Sequence, residues 1–313
     1  MSNHEDENEY AIKTFGLTKT FGSRKAVDEI NLAVKKGDIF SLIGPNGAGK
    51  TTIIKMLSCL LKPTVGTATI MNYDIKKNYS EVKRIIDVSP QETAIAGHLT
   101  AWENLILMGG VNGLKKQETE KRAKKLIKLM GLTQRANEQV QKFSGGMQRR
   151  LSIAMALISD PPVLFLDEPT LGLDPQARRA IWEQIEHLKG EKTIILTTHY
   201  LEEADALADR VAIIRQGTII AEGTPQELKE NVYGMQTMII KGQNIITADI
   251  QGLKEIYPNI TVIDGGIKIK AQELIFDEIV DYLRSEGVKI EWISMKEPSL
   301  DDVFLRLTGE GVT

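Results

Sequence analysis

The sequence predicts an α/β fold built on a parallel sheet, followed by a small α+β domain. Three observations carry this prediction. Apolar strand-like runs alternate with amphipathic helices between residues 163 and 198, a Gly-rich loop joins a buried strand to a helix near residue 44, and the pattern changes near Tyr233-Gly234. Strands that alternate with helices imply a parallel sheet covered on both faces. The 313 residues leave room for one large domain and a smaller one.

The larger domain begins with short β-type runs and turn signals from 12 to 40, which predict antiparallel strands. Further strands are predicted at 39–43, 163–166, 193–198, 211–214 and 218–221, and helices at 50–61, 176–189 and from 224 onward. A strand-and-turn region continues to about 89, and the stretch from about 100 to 160 is mostly helical. We therefore place a flexible acidic tail at 1–10, the main domain at 11–231 and a helical subdomain at about 92–160.

The remaining residues, 232–313, form a separate pattern. Strands are predicted at 237–241, 261–263, 267–270 and 289–295, and helices at 249–257 and 272–286. The order βαββαβ is typical of a small split-βαβ domain. We expect this α+β domain to serve in dimerisation or regulation.

Composition excludes several classes of protein. The net charge of −3 offers no electrostatic reason to expect nucleic acid as a partner. No run approaches the ~20 apolar residues that cross a bilayer, and the acidic first ten residues are unlike a signal peptide. Cys59 is the single cysteine, so no internal disulfide forms and a reducing, cytoplasmic setting fits. Any membrane role must come through a partner.

A phosphate-binding loop is the strongest motif. Residues Gly44, Pro45, Asn46, Gly47, Ala48, Gly49, Lys50 and Thr51 match G-x-x-x-x-G-K-[ST] between a predicted strand and a predicted helix. Glycines let backbone N–H groups surround phosphates, and the helix N-terminus adds positive potential. Lys50 is expected to reach the β- and γ-phosphates of ATP, and Thr51 to bind Mg²⁺. Thr52 is included among the nucleotide-binding residues.

A pair of carboxylates follows the apolar strand at 163–166. Asp167 is expected to hold Mg²⁺, usually through water, and Glu168 to polarise the attacking water. Two acids at the end of a strand are common in proteins. Behind a phosphate-binding loop, however, they predict an ATP-hydrolysing site.

Ser144, Gly145 and Gly146 open a predicted helix just upstream of that strand. In this order of motifs they resemble the signature of ABC (ATP-binding cassette) ATPases, and the resemblance covers about 12–231. It implies that the signature amides close on ATP held by a second cassette. It further implies an adenine-stacking role for Phe21, a Mg²⁺- or water-contacting role for Gln91, a dimer-interface role for Asp174 and a γ-phosphate contact for His199. Asp174 is also a good helix N-cap.

One departure bears on the branch of the family. Met147 stands where the common signature has glutamine, which puts one hydrogen bond across the interface in doubt. The Ser-Gly-Gly-Met form and the tail at 297–304 resemble the ABC-2 drug- and antibiotic-resistance exporters, including daunorubicin-resistance ATPases. The resemblance implies an ATPase at the cytoplasmic face of the membrane, working with integral-membrane subunits and with a second copy of itself or a paralogous cassette.

Two alternatives remain at this stage. A non-transport ABC ATPase, such as one for metal-cluster assembly, also carries one cassette, although the C-terminal domain argues against it. A nucleotide-dependent regulator would bind ATP without turnover, and the presence of both Glu168 and His199 argues against that function.

Overall fold

The computed structural model describes residues 9–232, 236–271, 274–296 and 299–309. Two compact units are divided after Pro225, a few residues before the predicted boundary at 231, and each is described by itself. Most of the predicted tail lies outside the described residues, as do Tyr233 and Gly234; Tyr10, the last predicted tail residue, already begins a strand. The assignment of domains and their roles stays a prediction.

An antiparallel sheet opens the first unit, as the turn signals predict. Its strands are β1 (Tyr10–Phe21), β2 (Arg24–Ile30), β3 (Ala33–Lys35), β5 (Val65–Ile70) and β6 (Tyr73–Asp74). They lie in the order β2-β1-β5-β6, and β3 pairs with β1. Strand β1 ends at Phe21, and a short turn connects it to β2.

The central sheet of the first unit is mainly parallel. Its strands are β4 (Ile39–Ile43), β7 (Ile86–Ser89), β8 (Val163–Asp167), β9 (Thr193–Thr198), β10 (Arg210–Arg215) and β11 (Thr218–Gly223). The order is β11-β10-β4-β9-β8-β7, and the β10–β11 hairpin supplies the single antiparallel pairing. Ile43 pairs with Thr198 and Asp167 with Thr197, so the carboxyl ends of β4, β9 and β8 meet at one edge.

Seven α-helices are described in this unit, and an eighth begins at its last residue and otherwise belongs to the second unit. They are α1 (Lys50–Leu57), α2 (Tyr79–Ile85), α3 (Ala101–Val111), α4 (Lys116–Leu129), α5 (Gly145–Leu157), α6 (Pro175–Glu186), α7 (Leu201–Leu207) and α8 (Pro225–Val232). Helix α1 is shorter than predicted because the backbone turns left-handed at Cys59, where φ is 59°. Helix α2 lies where strands and turns were expected; it buries Val82 alone, so the sequence shows no helical periodicity there.

Both faces of the central sheet are covered, which confirms the predicted α/β architecture. In β8, Val163 and Phe165 pack in the core shared with β1, β5 and α1, whereas Leu164 and Leu166 pack in the core shared with α3, α4 and α5. Side chains alternate between the two faces of a strand, so neighbouring residues enter different cores. A strand buried on both sides needs a continuous apolar run, and β8 has one.

The second unit follows the predicted βαββαβ order and adds one helix. Its elements are β12 (Gln236–Gln243), α9 (Gln251–Ile256), β13 (Asn259–Ile263), β14 (Gly266–Ala271), α10 (Phe276–Ser285), β15 (Lys289–Lys296) and α11 (Leu300–Thr308). The strands form an antiparallel sheet in the order β13-β14-β12-β15, and Ile240, Ile267, Leu253 and Leu283 belong to its core. Among the described residues, no helix combines the length and the apolar character needed to span a membrane.

Candidate nucleotide site

The phosphate-binding loop joins β4 to α1, as predicted. Gly49 adopts φ 111°, and a Cβ at this position would lie 2.5 Å from the carbonyl oxygen of Ala26. A Cβ on Gly44 would lie 2.2 Å from the carbonyl oxygen of Ile214. Both positions therefore require glycine. The Lys50 side chain turns back over the loop, where Nζ donates a hydrogen bond of 2.6 Å to the Gly44 carbonyl.

Three predicted site residues meet at the carboxyl edge of the central sheet. Glu168 Oε1 lies 3.1 Å from Lys50 Nζ, and Glu168 Oε2 lies 2.7 Å from His199 Nδ1. Glu168 and Lys50 are both buried, so each charge is compensated by the other. This carboxylate is held between a cation and an imidazole, in the position of a group that can accept a proton.

Asp167 and Thr51 lie together beside this group. The Thr51 hydroxyl donates to Asp167 Oδ1 over 3.2 Å, and the Thr197 hydroxyl donates to the same oxygen. A hydroxyl and a carboxylate are the hard oxygen ligands that Mg²⁺ prefers, together with substrate phosphates. Within the described ranges no group of three or more His, Cys, Asp or Glu could hold a metal by itself. The chemistry of the hydroxyl and the carboxylate fits Mg²⁺.

A cavity of about 590 Å³ lies over these groups, within the size range of small-molecule pockets. Its walls are Phe21, Arg24, Ala26, Pro45, Asn46, Gly47, Ala48, Gly49, Lys50, Thr51, Thr52, Gln91, Glu168, Leu171 and His199. Most predicted nucleotide-binding residues are thus assembled on one cavity. The ring of Phe21 is half exposed at the end of β1, with Lys19 Nζ 5.2 Å from its centre.

Five predicted residues line neither this cavity nor the neighbouring one that Gln91, Gly145 and Glu168 line. Two of them, Gly44 and Asp167, belong to the phosphate-binding loop and to the end of β8. The other three are Ser144, Gly146 and Asp174. Ser144 caps α5 by accepting a hydrogen bond from the Met147 N–H, and Asp174 caps α6 by accepting one of 2.8 Å from the Ala177 N–H. Their predicted role toward a nucleotide on a second cassette stays a prediction.

Arg24, Ala26 and Leu171 line the cavity but were not among the predicted site residues. Arg24 Nη2 donates to the Gly47 carbonyl over 3.3 Å, so the start of β2 supports the phosphate-binding loop. No motif in the sequence marks this arginine. Its position in the chain could have identified it. Arg24 follows the turn after Phe21, and this turn brings both residues to the lining of the nucleotide cavity.

Two buried charged residues behind the site were also missed. Burial lowers the pKa of Arg149 to about 10 and raises the pKa of Glu203 to about 6. Glu203 accepts hydrogen bonds from Thr170 Oγ1 at 2.9 Å and Trp182 Nε1 at 3.0 Å. Arg149 stands in a basic pair that suggests a solvated helix start, and only the structure shows that its side chain points inward.

Comparison with known proteins agrees with this geometry. A model of the ABC transporter family matches residues 27–171, and a model of the DrrA1-3-like ATP-binding protein C-terminal domain matches 223–308. The daunorubicin resistance ATP-binding protein DrrA2 of Streptomyces coeruleorubidus is 38% identical over 307 residues, covering 96% of this chain and 95% of that protein. The chain belongs to the ATP-binding subunits of ABC transporters.

Other relatives place this ABC subunit among exporters. The linearmycin resistance ATP-binding protein LnrL of Bacillus subtilis is 37% identical, with 95% of this chain and 98% of the relative covered. The Nod factor export ATP-binding protein I of Mesorhizobium japonicum is also 37% identical, with coverage of 96% and 87%. The subunit is an ATPase that powers export, and these relatives give the cluster-assembly alternative no support.

Solved structures confirm the fold of the ABC cassette. The cbiO1 protein of Clostridium perfringens matches with a TM-score of 0.65 at 28% identity, covering 70% of this chain and 90% of that one. A dimeric ATP-binding cassette bound to ADP and Pi matches with a TM-score of 0.61 at 30% identity, covering 68% and 98%.

Proposed function

We propose that the chain hydrolyses MgATP in the cavity described above, with Glu168 as the group that activates water. The observation that carries this assignment is the position of the Glu168 carboxylate between Lys50 Nζ and His199 Nδ1. When the triphosphate binds, the Lys50 ammonium exchanges its contacts with carbonyl oxygens and Glu168 for phosphate oxygens. The released carboxylate then accepts a hydrogen bond from the attacking water.

The other residues orient and stabilise the phosphates. The loop amides from Gly44 to Lys50 surround them, His199 hydrogen-bonds the γ-phosphate, and Phe21 stacks on adenine. Thr51 and Asp167, with Gln91 nearby, would hold Mg²⁺, which supplies positive charge next to the phosphate oxygens. Water attacks the γ-phosphorus as the bond to the bridging oxygen breaks, and ADP and phosphate leave.

Glu168→Gln tests the assignment. The amide keeps the size of the side chain but cannot accept the proton, so we expect kcat to fall by about 10²–10⁴-fold while ATP binding is retained. Glu81→Gln, on the exposed side of α2, is the matched control and should not change kcat. Steady-state ATPase assays and equilibrium nucleotide binding measure both quantities. Turnover of Glu168→Gln at the wild-type rate would remove Glu168 from this role.

A second cassette completes each site in this proposal. The loop covers one side of the triphosphate and leaves the γ-phosphate open to water, where charge stabilisation is weak. Ser144 and the N-terminus of α5 offer N–H donors and a positive helix end to that open side. Because Ser144 lies outside the cavity of its own chain, we place it against the nucleotide of the partner.

Mixing two inactive variants tests this arrangement. A dimer of Lys50→Ala and Ser144→Arg chains has one intact site and one doubly damaged site. We expect the mixture to occlude ATP, whereas neither variant alone does so. If Ser144→Arg alone occludes ATP like the wild type, or if the mixture occludes no more than its parents, the placement of Ser144 across the interface is wrong.

We further propose that the subunit works at the cytoplasmic face of the membrane, docked on separate integral-membrane subunits. Relatives named for daunorubicin and linearmycin resistance and for Nod factor export support a small organic cargo. Purification of the chain from membranes in mild detergent tests the partnership. A stoichiometric polytopic membrane protein should co-purify, and its absence under conditions that preserve other transporters would contradict the proposal.

A further inference from the structure

The Arg149 side chain connects three segments around the nucleotide site. It lies on the first turns of α5, is only 5% exposed, and points into the unit rather than into solvent. Its guanidinium donates hydrogen bonds to four backbone carbonyl oxygens, which belong to Pro90, Gln91, Asp167 and Pro169. A planar fork with five N–H donors is the side chain suited to this number of acceptors.

Two of these acceptors flank Glu168. Nη2 donates to the Asp167 carbonyl over 2.6 Å, and Nε donates to the Pro169 carbonyl over 2.8 Å. Glu168 itself has a φ of 50°, in the left-handed region that glutamate rarely adopts. Such a backbone persists only where its surroundings hold it. Arg149 therefore hydrogen-bonds to the carbonyl groups on both sides of the strained residue Glu168.

The other two acceptors belong to the segment that follows β7. Nη1 donates to the Pro90 carbonyl over 2.5 Å and to the Gln91 carbonyl over 3.2 Å. Gln91 and Glu168 line the same cavity. The same rigid group therefore sets the position of the Gln91 segment relative to the backbone of Glu168.

We propose that Arg149 is a positioning residue for hydrolysis, which holds Glu168 in its left-handed conformation and aligns it with the Gln91 segment. The inference rests on the proposed role of Glu168. Arg149 is not itself among the residues that line the nucleotide cavity, although it lines the neighbouring one with Gln91 and Glu168. We therefore expect it to act on the position of the water-activating carboxylate and not on nucleotide affinity. A lysine ammonium keeps the charge but cannot span four carbonyls in two directions.

Arg149→Lys in the full-length chain tests the proposal. A displacement of the catalytic group by about 1 Å can lower turnover about 10²-fold, so we expect kcat to fall by about 10- to 100-fold. We expect the KM for ATP and the ATP affinity to stay close to the wild type. Arg122→Lys is the matched control, because Arg122 Nη1 donates to a single carbonyl, that of Ile158, away from the site.

The double variant Arg149→Lys/Glu168→Gln separates positioning from general structural support. If Arg149 acts through Glu168, the double variant should bind ATP like Glu168→Gln and keep its residual hydrolysis, because effects within one functional unit are not additive. A further loss equal to that of the single variant would overturn the proposal. So would wild-type kcat in Arg149→Lys, or a parallel loss of ATP affinity.

Two remaining outcomes are also informative. If Glu168→Gln alone turns over ATP normally, the proposed function fails first, and this result is distinct from a failure of Arg149→Lys. If Arg149→Lys does not fold, Arg149→Gln replaces it with the same expectations, since its amide retains two N–H donors. If neither variant folds, Arg149 is a structural residue and the proposal is wrong.

Discussion

The two units of the molecule differ in what they bury. Among the described residues, the first unit buries five ionisable side chains, which are Lys50, Arg149, Asp167, Glu168 and Glu203. In the described part of the second unit, no Lys, Arg, Asp or Glu is buried; the buried side chains with a polar group are Thr308, whose hydroxyl donates to the Phe304 carbonyl, and Tyr257, whose hydroxyl accepts from the Ile275 N–H. Burial of charge is unfavourable unless hydrogen bonds or opposite charges compensate it. The contrast indicates that buried ionisable side chains are concentrated in the first unit, the ABC cassette.

The cassette compensates its buried charges locally. Lys50 contacts Glu168, Arg149 contacts four carbonyls, and Glu203 accepts from a hydroxyl and an indole. The core of the second unit needs no such network because most of its side chains are isoleucine and leucine. Its stability should therefore depend mainly on the packing of apolar side chains. Three experiments test this difference between the units.

Ile240→Ala should have the largest effect on stability. Ile240 is fully buried on β12, opposite Ile267 and Ile293 in the sheet. Removing its side chain leaves a cavity, so we expect the free energy of unfolding of the second unit to fall by about 2–5 kcal/mol. ATP turnover at a temperature where the variant remains folded should change less than about twofold, because Ile240 contributes to packing alone.

Ile239→Ala is the control, since the neighbouring side chain lies on the other face of β12 and is only partly buried. It should lower stability less than Ile240→Ala does. Urea denaturation and ATPase assays measure the two effects. A collapse of ATP turnover in folded Ile240→Ala would mean that the second unit takes part in the chemistry.

Glu203→Gln should change how stability depends on pH. Burial raises the pKa of Glu203 from its ordinary 4.5 to about 6, so between these values the folded chain binds more protons than the unfolded chain. The free energy of unfolding therefore falls as the pH rises through this window. The difference of about 1.5 between the pKa values corresponds to about 2 kcal/mol. Glutamine carries no charge, so the variant should escape this loss.

We expect the stability of Glu203→Gln relative to the wild type to increase by about 2 kcal/mol between pH 4 and pH 7.5. Urea denaturation at several pH values checks the sign. Glu202→Gln, next in the chain and exposed, should show no such trend. A difference that shrinks as the pH rises would show that the folded chain favours the charged form of Glu203.

Removal of the second unit should have the smallest effect on nucleotide binding. Every residue that lines the nucleotide cavity lies before residue 200. A chain ending after Asn231 should therefore bind ATP within about threefold of the full-length affinity, because it keeps every residue that lines the cavity. Circular dichroism establishes folding and calorimetry measures binding. A folded chain of this length that fails to bind ATP would show that nucleotide binding needs the C-terminal residues, contrary to the prediction.

The sequence predicted the fold well where the local pattern and the tertiary environment agree. The strands β4, β8 and β9 are continuous apolar runs because both of their faces are buried. Helix α2 escaped prediction because a helix that buries one residue has no periodic stripe. Helix α7 escaped because it is seven residues long and follows directly on the loop that holds His199.

For the site, motif order predicted the residues that contact the cavity but not those that support them. Lys50, Glu168 and His199 are recognisable because each follows a buried strand at a fixed place in the chain. Arg149 and Glu203 are not, because charge in a helix normally indicates a solvated face and their burial depends on long-range packing. Whether such a charged side chain points inward depends on the assembled core and not on the local sequence.

The left-handed backbone of Glu168 has a consequence for descendants of this protein. Glycine adopts such a φ without the steric cost of roughly 1–2 kcal/mol that other residues incur. Catalysis requires a carboxylate at this position, whereas the left-handed backbone favours glycine. In a gene copy whose product no longer needs to hydrolyse ATP, only the backbone preference remains. We expect such copies to drift toward glycine or asparagine at position 168, so that loss of the carboxylate is an early mark of a cassette retained for binding alone.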